Sequence, residues 1–473
     1  MKILLVNPPI PATWYNDEYY LPSSLLYLSA VLRENGDQVK ILDMKALKPD
    51  VSVNHQKFYE NALIDKISHF QPEIIGFGCL FSGNFPDVLR FSILCKQSFE
   101  NIPIVAGGIH FTIYAREILA NCLSIDWITL GEAEHSITQL VNTIKSNRYE
   151  LDKVDGFVYR TNGKIVVNPK KSYIENIDDI PFPEYDLVNL EDYYLDTSRW
   201  HNPKQLPINT SIPIITSRSC PNRCSFCSMY MVMGPRWRAR SPQNVLDEIE
   251  YVYDTYNHRH FSFMDDNLTL KKSRILEICN LIKKRKLNIQ FETPNGLNLN
   301  ALDEEVLDAL VSAGLVRTYL AIESGSDFIR NKVMRKSLSR EKIFEIVHLT
   351  KKYKQLFVNA FFIIGMPEET KETLAETYKM IQQIDVDKIQ LQHIVPFPGT
   401  DVYDQALRDN LLVGIEPENL YKSDDLYFKN RNRFFIKPYK LDLEELHEFR
   451  AKCETLIAGQ RADRIRPQEA CSA

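Results

Sequence analysis

No apolar run in the 473-residue chain reaches the roughly 18 residues that a helix needs to cross a bilayer. The opening MKILLVNPP has one lysine and too short an apolar stretch for a signal peptide, so it reads as a first buried strand. A cytoplasmic location is the resulting expectation. The chain also lacks a net positive charge. Its formal balance of −5 gives no electrostatic case for nucleic acid, whose partners carry a clustered basic face. The run Lys283, Lys284, Arg285, Lys286 reads as a helix end or a solvated face. In the N-terminal part no Gly-x-Gly-x-x-Gly follows the first strand, and the Gly-x4-Gly-Lys-Ser/Thr phosphate loop is missing. Disulfide spacing is lacking too. Of nine cysteines, Cys79, Cys95, Cys122, Cys279, Cys453 and Cys471 are scattered, as suits a reducing compartment.

What is present is the composition of a globular protein, 44% hydrophobic and 25% charged, with length for two or three domains. Residues 1–148 alternate short apolar strands (2–6, 38–42, 73–78, 103–106, 126–130) with helical stretches (23–34, 56–69, 86–99, 114–121, 135–147). Five βα units with short connections predict a doubly wound parallel sheet with ligands at the carboxyl ends of its strands. Residues 149–210 read as a hairpin around Thr161-Asn-Gly163 followed by a proline-bearing connector. A second βα series fills 211–404, with strands at 212–216, 260–264, 289–293, 316–322, 357–364 and 388–394. Six such units predict a partial TIM-like barrel, with chemistry at its strand carboxyl ends. Residues 405–473 are charged and aromatic (Tyr421, Tyr427, Phe428, Phe434, Phe435, Tyr439) and read as a small C-terminal cap or a substrate pocket. The fold class is therefore α/β.

Three of the nine cysteines sit within eight residues, in Ser217-Arg-Ser-Cys220-Pro-Asn-Arg-Cys224-Ser-Phe-Cys227. Three thiolates on one short loop can wrap one face of an iron–sulfur cluster or hold zinc. Structural zinc takes four protein ligands and would have to recruit a distant residue such as His258 or His260. Three ligands suit a four-iron cube with one iron left open. Polar residues mark the other strand ends: Asp265, Asp266 and Asn267; Asn295 and Gly296; Glu323-Ser-Gly-Ser326 with Arg335 and Lys336; Gly365-Met-Pro-Glu368; and Pro396-Phe-Pro-Gly399-Thr400. Any one of them alone reads equally as a turn or helix cap.

The spacing Cys220-x3-Cys224-x2-Cys227 after the first strand of a six-unit series resembles the radical S-adenosylmethionine superfamily. The resemblance implies a 4Fe-4S cluster on Cys220, Cys224 and Cys227, with S-adenosylmethionine chelating the open iron. It also implies an aromatic contact from Phe226, cofactor contacts from Asp265, Asn295, Glu323, Arg335 and Gly365, and an electron donor such as flavodoxin or ferredoxin.

In the N-terminal part, Gly76-Phe-Gly-Cys-Leu-Phe-Ser82-Gly, Ala106-Gly107-Gly108-Ile-His110 and Gly131-Glu132-Ala-Glu134 follow the third to fifth strands. Glycines at neighbouring strand ends leave a shallow crevice for a large flat ligand. These segments, with Ile180-Pro-Phe-Pro183 in the connector, resemble the class in which a cobalamin-binding domain precedes the radical barrel. That resemblance places Asn7, Ser82, Gly107, Gly108, His110, Gly131 and Glu132 at the cobalamin. The Asp-x-His-x-x-Gly motif of other cobalamin proteins is missing, since Asn7-Pro-Pro-Ile-Pro11 follows the first strand. The corrin is therefore expected without a histidine ligand.

The function implied is methyl transfer to an unactivated carbon of a small molecule. One S-adenosylmethionine methylates the cobalt, and a second yields a 5′-deoxyadenosyl radical. An oxidative ring cyclase of the same class is the alternative, and a non-catalytic cobalamin sensor is a third reading that the clustered cysteines oppose. Methylthiotransferases share the barrel but need a second compact cysteine triplet upstream, which is absent.

Overall fold

A computed structural model describes residues 1–9, 20–50, 52–80, 82–193, 211–422 and 433–469. Ile10, Pro11, Phe81, Tyr427, Phe428, Cys471 and the connector residues 194–210 lie outside the described residues. The chain forms two units. The first gathers Met1–Leu195, Met231–Gly234 and Glu416–Arg431; the second holds Asp196–Tyr230, Pro235–Ile415 and Asn432–Ala473.

In the first unit, β1 (Lys2–Asn7), β2 (Gln38–Asp43), β3 (Ile74–Gly78), β4 (Ile104–Gly107) and β5 (Trp127–Thr129) run parallel. Ile3, Leu4, Leu5, Val6, Ile74, Ile75 and Ile104 are buried, as a parallel sheet covered on both faces requires. The strand order β2-β1-β3-β4-β5 reverses at β1, so the crevice for a ligand opens at the carboxyl ends of β1 and β3. The hairpin strands β6 (Phe157–Thr161) and β7 (Lys164–Asn168) pair antiparallel and extend this same sheet beyond β5.

Helices Ser23–Glu34, His55–Phe70, Phe85–Ser98, Ile109–Asn121 and Glu134–Lys145 follow the parallel strands. The fourth begins five residues before the 114 expected from periodicity. Gly108, at φ +111°, releases the chain straight from β4 into the helix, and Tyr114 (φ −112°, ψ 24°) kinks it where the periodic stretch begins. A Cβ on Gly108 would lie 2.3 Å from the Cys79 carbonyl oxygen, so only glycine lets β3 and β4 end this close together.

The second unit has six parallel strands. They are β8 (Ile212–Ile214), β11 (His260–Phe263), β12 (Gln290–Leu297), β13 (Leu315–Glu323), β14 (Phe357–Ile364) and β15 (Lys388–His393). They lie side by side in chain order, with β8 and β15 at the edges. In the chain between β8 and β11, β9 (Ser217–Arg218) and β10 (Arg238–Ala239) form a separate small antiparallel ladder. The intervening helices start on side-chain caps that the sequence supplies. Ser241, Asp303 and Ser339 accept from the backbone N–H three residues on, and Thr370 forms a reciprocal box with Thr373. β12 runs four residues past its expected end, through register shifts at Thr293 that carry Asn295 and Gly296 inside the strand.

Candidate active site

The ladder of β9 and β10 closes the cysteine-bearing loop at its base, with Arg218 opposite Arg238 and Ser217 opposite Ala239. Cys224 is buried; Cys220 and Cys227 are half-buried. The loop is braced by the residues after β11. Asp265 Oδ1 accepts from the hydroxyls of Thr216 (2.7 Å) and Ser217 (2.5 Å), and its Oδ2 accepts from the Thr216 N–H (3.2 Å). Asp266 Oδ2 accepts from the N–H of Ser219, which holds φ at +71° just before Cys220. Asp265 therefore serves the loop from inside rather than standing open at the S-adenosylmethionine site as expected, because both its oxygens are engaged. Burial, together with the neighbouring Asp265, lifts the Asp266 carboxyl to about 6 against the Ser219 N–H.

Asn267, the third of the polar residues after β11, takes a role that only the structure reveals. Its Nδ2 donates to Cys220 Sγ at 3.3 Å, while its buried Oδ1 meets no hydrogen-bond partner among the described residues. Burial pushes the Cys227 thiol up to about 11, and the charges of Cys224, Asp266 and Cys220 add to the rise. Burial raises Cys224 as well, opposed by Lys336. The three sulfurs thus lie close enough to feel one another, and thiolates so placed need a cationic partner. Among the described residues no three His, Cys, Asp or Glu side chains form a ligand set for a single metal ion.

Beyond β13 the chain makes a π-turn over Ile329–Val333, held by the fully buried Arg330. Its guanidinium donates to the Leu338 (2.7 Å) and Ser324 (2.6 Å) carbonyls and pairs with Asp327. The turn brings the Lys336 ammonium to Glu323 Oε1 at 2.7 Å, beside Cys224. Burial opposes this charge, but Glu323 and Cys224 outweigh it and hold the lysine above its ordinary pKa. Arg335, the residue expected at the cofactor, points outward to Asp401 with half its side chain exposed. The inward cation is Lys336. Glu323 itself sits at φ +69°, an uncommon value for a residue with a side chain, where the β13–β14 register shifts.

Phe226 packs on the buried cluster of Ile329, Met334, Met366, Ile394 and Val402. Gly365, after β14, donates its N–H to Glu369 Oε2 at 2.5 Å. Burial lifts the Glu369 carboxyl to about 8, against the N–H groups of Gly365 and Met366. Asn295 is exposed, and its Nδ2 donates to the Met264 carbonyl at 2.9 Å.

In the first unit, Asn7 at the end of β1 donates to Asp43 Oδ1 (2.8 Å), whose Oδ2 accepts from the Tyr193 hydroxyl (2.7 Å). His110 is fully buried among Phe85, Phe111 and Tyr114. Its Nδ1 lies 3.0 Å from Ser82 Oγ and its Nε2 2.9 Å from the Tyr421 carbonyl oxygen. Burial brings its pKa down to about 3 despite the Tyr421 carbonyl. Glu132 is buried and accepts from the Ile174 N–H at 3.2 Å. Gly107 and Gly131 end β4 and follow β5; at Gly131 (φ +62°) a Cβ would lie 2.7 Å from the Val232 carbonyl oxygen. Of the residues expected around a corrin, Asn7, His110 and Glu132 thus direct their side chains to partners within the protein.

A family model described as the Radical SAM superfamily matches residues 214–381, and one described as the B12 binding domain matches residues 17–141. The chain is 32% identical over 415 residues to an uncharacterised methyltransferase of Pyrococcus horikoshii, covering 87% of this chain and 84% of that one. It is 25% identical over 507 residues to the cytidylyl-2-hydroxyethylphosphonate methyltransferase of Streptomyces wedmorensis, covering 99% and 92%. To the anaerobic magnesium-protoporphyrin IX monomethyl ester cyclase of Rubrivivax gelatinosus it is 27% identical over 424 residues, covering 87% and 71%. Two solved structures share the fold. The radical S-adenosylmethionine methyltransferase TsrM from Kitasatospora setae, with tryptophan substrate and a cofactor analogue bound, gives a TM-score of 0.74 at 17% identity over 96% of this chain and 89% of that one. OxsB, with aqua-cobalamin and S-adenosylmethionine bound, gives 0.65 at 20% identity over 86% and 55%.

Proposed function

The chain belongs to the cobalamin-dependent radical S-adenosylmethionine enzymes, and from that membership we propose that it methylates an unactivated carbon of a small molecule. When bound, the cluster, S-adenosylmethionine and cobalamin supply between them the hydrogen-abstracting 5′-deoxyadenosyl radical and the methyl group. Cys220, Cys224 and Cys227 hold the cluster. The observation that carries this reading is their convergence on one loop whose fold is braced by Asp265 and Asp266. The donor set fits: three buried or half-buried thiols, one facing an amide N–H and one beside an ammonium. The unpartnered Asn267 Oδ1 leaves an acceptor for a donor group on a bound cofactor.

Lys336, held by Glu323, carries positive charge beside Cys224 and would attract an anionic group of S-adenosylmethionine there. Phe226 offers an apolar face to its adenine and Asn295 a polar edge, with Gly365, packed against Phe434 and Ile394, at the end of the neighbouring strand β14. The crevice expected at the carboxyl ends of β1 and β3 would take the cobalamin, bordered by the backbone at Gly107, Gly108 and Gly131. His110 has no free ring nitrogen to offer cobalt, since both are bonded. Residues 1–148 and 211–404 are assigned to these two tasks, and a flavodoxin or ferredoxin is assigned as electron donor.

Feeding methyl-labelled S-adenosylmethionine with candidate small molecules under anaerobic conditions tests the proposal. Label in the product, with S-adenosylhomocysteine and 5′-deoxyadenosine released in equal amounts, is expected. The likeness to the anaerobic magnesium-protoporphyrin IX monomethyl ester cyclases favours a second reading, oxidation without methyl transfer. Turnover that forms deoxyadenosine and leaves the product unlabelled would establish that reading instead.

A further inference from the structure

Among the groups that approach the cysteine sulfurs, Asn267 is neither a ligand nor part of the loop that bears them. Its side chain crosses from the end of β11 to place Nδ2 3.3 Å from Cys220 Sγ. The residue is almost wholly buried, and its backbone carbonyl is fixed by the Trp237 indole N–H at 3.1 Å. The amide is therefore a rigid donor in a dry setting, and a thiolate at Cys220 requires its N–H side rather than its oxygen to face the sulfur.

We infer that Asn267 sets the reduction potential of the cluster by hydrogen-bonding the Cys220 sulfur. Adding an electron increases the negative charge shared by the cluster sulfurs. An N–H aimed at one of them stabilises the reduced form more than the oxidised form and so raises the potential. Burial strengthens the effect, because little water is present to screen it. A raised potential brings the cluster within reach of an ordinary protein electron donor. The inference rests on the assignment of Cys220 as a cluster ligand and deepens it; Asn267 acts here as a positioning residue, through the sulfur.

The test is a redox titration of the anaerobically reconstituted full chain, following the reduced cluster by electron paramagnetic resonance and counting iron in parallel. In Asn267→Leu the donor is lost; in Asn267→Asp it is replaced by an isosteric acceptor that also carries charge. At fixed ambient potential the ratio of reduced to oxidised cluster should fall roughly threefold to tenfold in Asn267→Leu, and further in Asn267→Asp, with iron content unchanged. For one electron, tenfold corresponds to 59 mV. Unchanged midpoints in both variants would overturn the inference while leaving the cluster assignment intact. Loss of iron from both would overturn it as well, by assigning Asn267 to the folding of the loop. Wild-type protein that takes up no iron would instead remove the cluster reading itself.

Discussion

The ammonium of Lys336 lies 2.7 Å from Oε1 of Glu323 and beside the thiol of Cys224, so one buried cation serves a carboxylate and a cysteine at once. Removing it by Lys336→Met leaves Glu323 buried without a counter-charge, which costs about 3–5 kcal/mol. Adding Glu323→Gln should restore most of that stability in chemical unfolding. It should not restore deoxyadenosine formation, because the positive charge is still missing. Since the folded state raises the lysine pKa, its contribution to stability is complete below the ordinary lysine value of about 10.4 and is lost only as pH rises through the folded one.

Replacing Cys220, Cys224 or Cys227 by Ala should abolish both the brown iron–sulfur chromophore and the cleavage of S-adenosylmethionine, while wild-type protein reconstitutes with about four irons per chain. Stoichiometric zinc in place of iron in anaerobically purified protein is the outcome that contradicts this.

The buried carboxyl of Glu369 gives a pH signature. Raised to about 8, it keeps its proton in the folded chain while the unfolded chain releases it at about 4.5. Its contribution is present below pH 4.5 and declines as pH rises toward 8, by at most about 1.4 kcal/mol per pH unit. Glu369→Gln mimics the neutral acid and should remove this slope. His110, lowered to about 3 by burial, contributes a slope of the opposite sign below its ordinary pKa, which is why the difference between wild type and Glu369→Gln is the quantity to measure.

His110 also makes a spectroscopic prediction. With both ring nitrogens engaged by Ser82 and the Tyr421 carbonyl, it has none for cobalt. Cob(II)alamin bound to the protein should show no nitrogen superhyperfine splitting, and His110→Ala should leave the signal's form unchanged while costing about 2 kcal/mol of stability as a cavity opens among Phe85, Phe111 and Tyr114. A splitting that vanishes in His110→Ala would reverse the assignment.

The parallel strands were most legible where they are short apolar runs bounded by turn residues, as in β1, β3 and β14. Side-chain direction was less so. Nothing in the chain distinguishes Arg335 from Lys336 until the π-turn at Ile329–Val333 rotates the latter inward. The contact of Asn267 with Cys220 joins positions 47 apart, and no local pattern encodes it. His110 read as a loop residue because the kink at Tyr114 hides the first turn of its helix from any test of periodicity. The acidic pair after β11 was recognised as chemically loaded, but which of its oxygens the loop occupies depends on a backbone path that composition does not record.

The first unit is sewn from three stretches of chain, and this bears on how it can be dissected. A gene fragment ending at residue 195 would encode the entire seven-stranded sheet. It would still lack Val232, whose carbonyl packs over Gly131, and Gly234, which packs against the Tyr173 ring. It would also lack the Tyr421 carbonyl that meets His110. Such a fragment leaves a buried imidazole nitrogen bare. The corrin-binding half is thus not a cassette to be cut out, expressed alone or swapped between relatives at a single junction; any working chimera must exchange all three stretches together.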